Sequence, residues 1–325
     1  MFQNCSIPTV SHSNSQHTLH ITLLYSPLLS TYTTLLYIHT TLLHTHHTGE
    51  PFAHSLTFDS DFESGNLLRA VQKGDHNYDL FLRSDLHTPG HTQWFYFAVA
   101  NTHTPELVAL AAQGVEIPPV RVKFNIVNFT KPDSLFNLGM RPVVYSVHDA
   151  TTKNAGWVRG GSDISYYGNS FLRNNNAGEG LLYYYTLSFT MEFTNINDTT
   201  LIAYSYPYTM SDYRSHLTEL LNNTSSDILR QYKLCQTISG EDCDLLVITN
   251  HTDRERNGPL NLQMMDSEAN NTNTTAFSFK RSSSVGKRNS ASAVFKPALF
   301  LSCRVHPGET PASWMMKGTC CISIV

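Results

Sequence analysis

His306 and Glu309 are the two residues of this 325-residue chain whose types and spacing best suit metal chemistry. A neutral imidazole and a carboxylate are both good ligands for Zn²⁺, and catalytic zinc sites commonly combine such ligands while leaving one position to water. Between them lie Pro307 and Gly308, which together stop regular structure and indicate a turn. The pair is therefore a candidate for two ligands of a catalytic zinc site.

The spacing of the pair does not identify it, because the chain has 16 histidines and three further His-x-x-Glu pairs. One of these lies in a low-complexity tail and one in a polar loop. The last lies on a predicted helix, where a solvated face is the simpler interpretation. Only the pair at 306 and 309 is set between a predicted strand and a predicted helix. The other pairs are His47/Glu50, His103/Glu106 and His216/Glu219.

The elements around the pair are those that would position a ligand site. Residues 298–305 form an apolar run of strand length, which predicts a strand buried on both faces. After the turn, Thr310 is a suitable N-cap and Pro311 suits the first position of a helix. Ligands bind where the strands of an open α/β sheet end. We therefore expect His306 and Glu309 to lie at such a rim.

A longer segment extends this pattern. Residues 304–310 read Arg-Val-His-Pro-Gly-Glu-Thr, and residues 313–318 read Ser-Trp-Met-Met-Lys-Gly. Together they resemble the zinc-binding signature of the cytosolic carboxypeptidases, the tubulin-deglutamylating branch of the zinc metallocarboxypeptidases. Upstream segments are similar, in order, to the β-sandwich domain that precedes the catalytic domain in that family and to the passage between the two domains. These segments are 62–66, 91–97, 134–140, 156–157 and 203–209.

The resemblance implies a cytoplasmic, Zn²⁺-dependent carboxypeptidase that removes C-terminal or side-chain glutamates from tubulin or other acidic tails. His306 and Glu309 would bind the zinc, which would hold a water and polarise the scissile carbonyl. The family also uses a third ligand, a histidine far downstream of this pair. A glutamate acts as general base, and an arginine recognises the terminal carboxylate of the substrate.

No residue after Glu309 is a histidine, glutamate, aspartate or arginine. We therefore expect the third ligand, the general base and the substrate arginine to lie beyond Val325, and the catalytic residues stay unassigned. On this interpretation the chain is truncated within the catalytic domain and is inactive as written. The alternative is a non-catalytic module whose β-sandwich binds a partner, and coding sequence downstream of Val325 would discriminate between the two.

Most of the chain reads as β structure. Residues 52–206 contain runs in which apolar and polar residues alternate, separated by Pro, Gly and Asn turn signals, and this pattern predicts an antiparallel β-sandwich. Such a domain would help to position the substrate, and nothing in it looks catalytic. The clearest runs are 78–83, 93–99, 120–127 and 182–193.

Residues 207–325 predict the N-terminal part of an α/β carboxypeptidase domain. Leucines at helical spacing predict a helix from Asp212 to about Gln231. Strands are predicted at 234–238 and 244–249, where Cys235 and later Cys303 are interpreted as small buried residues. A polar stretch without periodicity, about 251–293, predicts a disordered loop.

Composition limits the remaining possibilities. A net charge of −4 argues against a basic surface that binds nucleic acid. Residues 1–51 form a low-complexity tail without Lys or Arg, which predicts disorder. This tail lacks both the positively charged start of a signal peptide and an unbroken apolar span, so no membrane partner is expected. The six cysteines form no disulfide framework, which favours thiols in a reducing compartment.

Overall fold

The computed structural model describes residues 52–85, 88, 90–174, 178, 180–236, 241–252, 260–264, 277–281 and 299–324. The low-complexity tail predicted at 1–51 lies outside the described residues, as does most of the loop predicted at about 251–293. The described residues up to Thr209 form one compact unit, and those from Met210 onward form a second. No helix in the described part of the chain combines the length and apolar content needed to cross a membrane.

The first unit consists mainly of strands, as the alternating pattern predicts. Two short helices, Pro105–Ala112 (α1) and Val147–Lys153 (α2), and a 3₁₀ turn at Leu135–Leu138 connect them. The strands are Thr57–Asp59 (β1), Leu67–Gly74 (β2), Asn77–Leu82 (β3), Tyr96–Ala100 (β4), Val120–Phe129 (β5), Val143–Ser146 (β6), Val158–Arg159 (β7), Ser162–Asn174 (β8), Leu181–Phe193 (β9) and Thr200–Ala203 (β10).

These strands form two five-stranded sheets, in the orders β1-β4-β10-β6-β7 and β2-β3-β5-β9-β8. One hydrophobic cluster contains buried residues from both sheets. Phe97 of the first sheet contacts Phe124 of the second with ring centroids 6.2 Å apart, and Phe95 stacks on Phe189 at 6.3 Å. Aromatic residues at alternate positions therefore fill the space between the sheets.

One pairing differs from the predicted antiparallel arrangement. β3 and β5 run parallel, from Asn77 opposite Lys123 to Leu80 opposite Ile126. Parallel neighbours need a crossover connection, and here the chain passes through β4, in the other sheet, and then α1 before it returns as β5. Alternation gives the face of each residue but not the direction of its neighbouring strand, so the sequence could not reveal this pairing.

The second unit contains Met210–Asn222 (α3), Leu229–Gln236 (β11), Asp242–Ile248 (β12), Leu260–Met264 (β13), Phe277–Arg281 (β14) and Thr310–Ile324 (α4). The helix predicted to reach about Gln231 ends at Asn222, and β11 begins at Leu229. The polar residues between them explain the correction, since Asn, Ser and Thr side chains compete for backbone hydrogen bonds. The hydroxyl of Ser225 does so, since it accepts a hydrogen bond from the backbone amide of Asp227 at 3.2 Å.

Within the segment expected to be a disordered loop, β13 and β14 pair antiparallel. The correction has a visible cause in the sequence, because Leu260, Leu262 and Met264 alternate with polar residues and Phe277 and Phe279 do the same. In the described residues of this unit, strands pair only as the two-stranded ladders β11-β12 and β13-β14. The predicted α/β arrangement for 207–325 stays a prediction.

Candidate metal site

The apolar run before the candidate ligands does not form the expected strand. Residues 299–304 have no regular secondary structure, and Leu299 is 82% exposed. A strand requires a neighbour for its backbone hydrogen bonds, and none of the described strands pairs with this segment. Apolar composition alone therefore predicted the wrong conformation here. Burial is confined to the end of the run, at Cys303 and Arg304.

Arg304 anchors the turn that follows. Its side chain is buried, with 4% of the residue exposed, and its backbone adopts a φ of 55°. Its Nε donates to the carbonyl oxygen of Pro307 at 2.7 Å, and its Nη1 donates to Ser313 Oγ at 3.1 Å. One guanidinium thus ties the middle of the turn to the first turns of α4. Sequence analysis did not assign this role, although a cation that ends an apolar run directly before a Pro-Gly turn is a signal for it.

The turn brings the two candidate ligands to its two ends. The amide of Glu309 donates to the carbonyl oxygen of His306 at 3.0 Å, which closes the turn. The amide of Ala312 then donates to the carbonyl oxygen of Glu309 at 3.1 Å, and α4 begins at Thr310. Thr310 is thus the first residue of the helix rather than its N-cap, and Pro311, expected at the first helical position, is the second. His306 and Glu309 therefore leave the chain close together, at the N-terminal end of one helix.

Both candidate ligands are exposed, so a metal ion and a substrate could reach them. Their donor types, an imidazole nitrogen and a carboxylate oxygen, suit zinc. In the part of the chain that the structure describes, no group of three or more His, Cys, Asp or Glu side chains is assembled to hold a metal. The pair fits two positions of a zinc site and does not complete one.

The other His-x-x-Glu pairs have a different environment. His103 is buried beside Thr102, whose hydroxyl lies 3.0 Å from His103 Nδ1, and burial lowers the pKa of the imidazole. His216 of α3 is also buried, and desolvation followed by the charge of Lys317 lowers its pKa. The solvated face expected for His216 is therefore wrong. His47/Glu50 lies outside the described residues.

The known proteins that match this chain belong to the family that the motif resembles. A family model described as the cytosolic carboxypeptidase N-terminal domain matches residues 58–114. Cytosolic carboxypeptidase 1 of Danio rerio is 39% identical over 268 residues, which is 82% of this chain and 19% of that protein. Cytosolic carboxypeptidase 2 of Homo sapiens is 36% identical over 269 residues, or 82% of this chain and 24% of that protein. The chain thus spans about a fifth of the length of these relatives.

Two solved structures overlay part of this chain. A metallo-carboxypeptidase from Burkholderia cenocepacia overlays 60% of this chain and 40% of its own, with a TM-score of 0.38 and 16% identity. A metallo-carboxypeptidase from Pseudomonas aeruginosa, in complex with (2-guanidinoethylmercapto)succinic acid, overlays 61% of this chain and 41% of its own, with a TM-score of 0.36 and 18% identity.

Proposed function

Because the chain belongs to the cytosolic carboxypeptidase family, we propose that it contributes to a zinc-dependent metallocarboxypeptidase that removes C-terminal or side-chain glutamates from tubulin and other acidic tails. The observation that carries the proposal is the arrangement of His306 and Glu309. Both are exposed, both leave the ends of one closed turn, and a buried arginine holds that turn against the following helix.

His306 and Glu309 would hold the zinc. When bound, the metal supplies Lewis-acid activation of a carbonyl and of a water molecule. The residues of this chain fix the positions of the two donors: Arg304 hydrogen-bonds Pro307 and Ser313, and therefore restricts the turn from which both donors extend. In the same proposal, the two packed sheets are the β-sandwich domain of the family. Residues 207–325 are the beginning of its α/β domain.

Zinc binding tests the ligand assignment directly on the 325-residue chain. His306→Ala and Glu309→Ala should each lower zinc affinity by about tenfold or more, since loss even of a residue that orients a ligand costs about 10- to 100-fold. Competition with a chromogenic chelator measures the change. His76→Ala, at an exposed histidine of the other compact unit, is the matched control and should leave the affinity unchanged. Unchanged affinity in both ligand variants would refute the assignment.

Activity is tested with tubulin and polyglutamate peptides as substrates, on this chain and on any longer product of the same gene. The longer product should release glutamate, and this release should be lost when a chelator is added or when His306 is replaced by alanine. Glutamate release by the 325-residue chain itself would show that the expected inactivity is wrong. An active longer product that is unaffected by His306→Ala would contradict the proposed role of that residue.

A further inference from the structure

Three cysteine side chains meet where β11 and β12 pack against α4. Cys243, 2% exposed, and Cys303, 8% exposed, belong to one cluster of buried residues, and the half-buried Cys235 packs against it. Ala312 and Met316 of α4 contribute to the same cluster. The described cysteines are thiols rather than disulfides. The fold therefore places three thiols next to the helix that follows the candidate ligands.

The geometry selects one pair among these thiols. In the β11-β12 ladder, Cys235 lies directly opposite Cys243, next to a shift in register that follows Lys233. Directly opposite residues of antiparallel strands have Cα atoms about 4.5–5.5 Å apart. A disulfide needs about 4.4–6.8 Å. A bond between the two sulfurs therefore requires no change in strand pairing.

We propose that Cys235 and Cys243 form a reversible redox pair that closes into a cross-strand disulfide. The oxidant is a low-molecular-weight disulfide such as oxidised glutathione. Exposure determines the order of reaction, because the half-buried Cys235 is reachable from solvent while Cys243 is almost completely enclosed. Cys235 is thus the thiol that attacks the oxidant and forms a mixed disulfide with it. Cys243 is the resolving thiol, which attacks that mixed disulfide from its buried position.

The exchange proceeds in two balanced steps. The Cys235 thiolate attacks one sulfur of glutathione disulfide; that S–S bond breaks, and one glutathione leaves as a thiolate and takes up the proton lost by Cys235. The Cys243 thiolate then attacks Cys235 Sγ and expels the second glutathione, which takes up the proton lost by Cys243. Two cysteine thiols are oxidised to one disulfide, and one glutathione disulfide is reduced to two thiols.

Closure would affect the neighbouring helix as well as the hairpin. The disulfide would join the two strands on either side of residues 237–241 and would draw Cys243 towards Cys235. Cys243 packs with Cys303 and Met316, so its displacement changes the surface against which α4 rests. Oxidation should consequently be visible as altered amide exchange in α4 and as increased protection in β11 and β12.

The test uses the full chain incubated with oxidised glutathione under native conditions. Remaining thiols are then alkylated, and the protein is digested without reduction for mass spectrometry. The expected result is a linked peptide pair containing Cys235 and Cys243, lighter by two hydrogen atoms and separated again by dithiothreitol. This measurement needs no variant. An unmodified chain, or a disulfide between any other two cysteines, would overturn the proposal.

Two variants test the order of reaction. Cys243→Ala keeps the buried position apolar and removes the resolving thiol, so glutathione should accumulate as a stable mixed disulfide on Cys235. Cys321→Ser, at an exposed cysteine of α4, is the matched control and should form the Cys235–Cys243 bond as the unaltered chain does. If glutathione instead remains on Cys235 in the unaltered chain, the thiols do not act as a pair and the proposal fails.

Discussion

At the scale of single residues, Arg304 determines how the candidate ligands are presented. A buried guanidinium costs free energy unless its donors find acceptors, and here its Nε and Nη1 donate to a carbonyl of the turn and to a hydroxyl of the helix. Its φ of 55° is uncommon for a residue with a side chain. The two hydrogen bonds and the burial together keep the backbone in this conformation. The positions of His306 and Glu309 therefore depend on a neighbour that is not itself a candidate ligand.

Arg304→Ala tests this dependence. Hydrogen bonds to charged groups contribute about 1.5–3 kcal/mol each, so the variant should lose about 2 kcal/mol or more of stability in the second unit and should bind zinc more weakly. Thermal unfolding followed by circular dichroism, together with chelator competition, measures both effects. Ser313→Ala removes only one of the two partners and should have a smaller effect. Full zinc affinity in Arg304→Ala would mean that the turn holds its shape without the guanidinium.

At the scale of elements, β5 is the strand on which the first unit depends most. It lies in the middle of its sheet, paired with β3 and β9. Phe124 points from it into the space between the sheets, where its ring contacts those of Phe58, Phe97 and Phe189. Arg121 and Lys123, on the other face of the same strand, are exposed. Burial of one face against the opposite sheet thus stabilises both sheets at once.

Phe124→Ala should lower the free energy of unfolding of the first unit by about 3–5 kcal/mol, the usual cost of truncating a buried phenylalanine. Urea unfolding followed by circular dichroism measures it. Phe171→Ala is the matched control, because Phe171 lies on the edge strand β8 and is 48% exposed; its effect should stay within about 0.5 kcal/mol. Equal losses in the two variants would show that the shared cluster is not the main source of stability.

At the scale of the whole molecule, the chain divides after Thr209. The two sheets and their shared cluster are formed entirely by residues before that division. We therefore expect residues 52–209, expressed alone, to fold. The far-ultraviolet spectrum should be that of a β protein, and amide protons of β5 and β9 should be protected from exchange. An unprotected or mainly helical chain would contradict the prediction.

A shorter piece provides the control for this experiment. Residues 52–180 lack β9, which lies between β5 and β8, and β10, which lies between β4 and β6. Both sheets then lose an internal strand, so this piece should not show protected amides. If it folds as well as the longer piece, the sheet order is not what stabilises the unit.

Local sequence features determined the positions of many strands and the turn that carries His306 and Glu309. Alternation over 120–127 reports which side chains share a face, and Pro307-Gly308 restricts the backbone whatever surrounds it. The tertiary structure decided the rest. The parallel pairing of β3 with β5 and the packing of Cys303 with Cys235 and Cys243 join residues far apart in sequence. The strand expected at 298–305 does not form over the described residues 299–305, because no described strand pairs with them. A periodic pattern records only which face a segment will bury, whereas strand order and burial are set by the partner that covers that face.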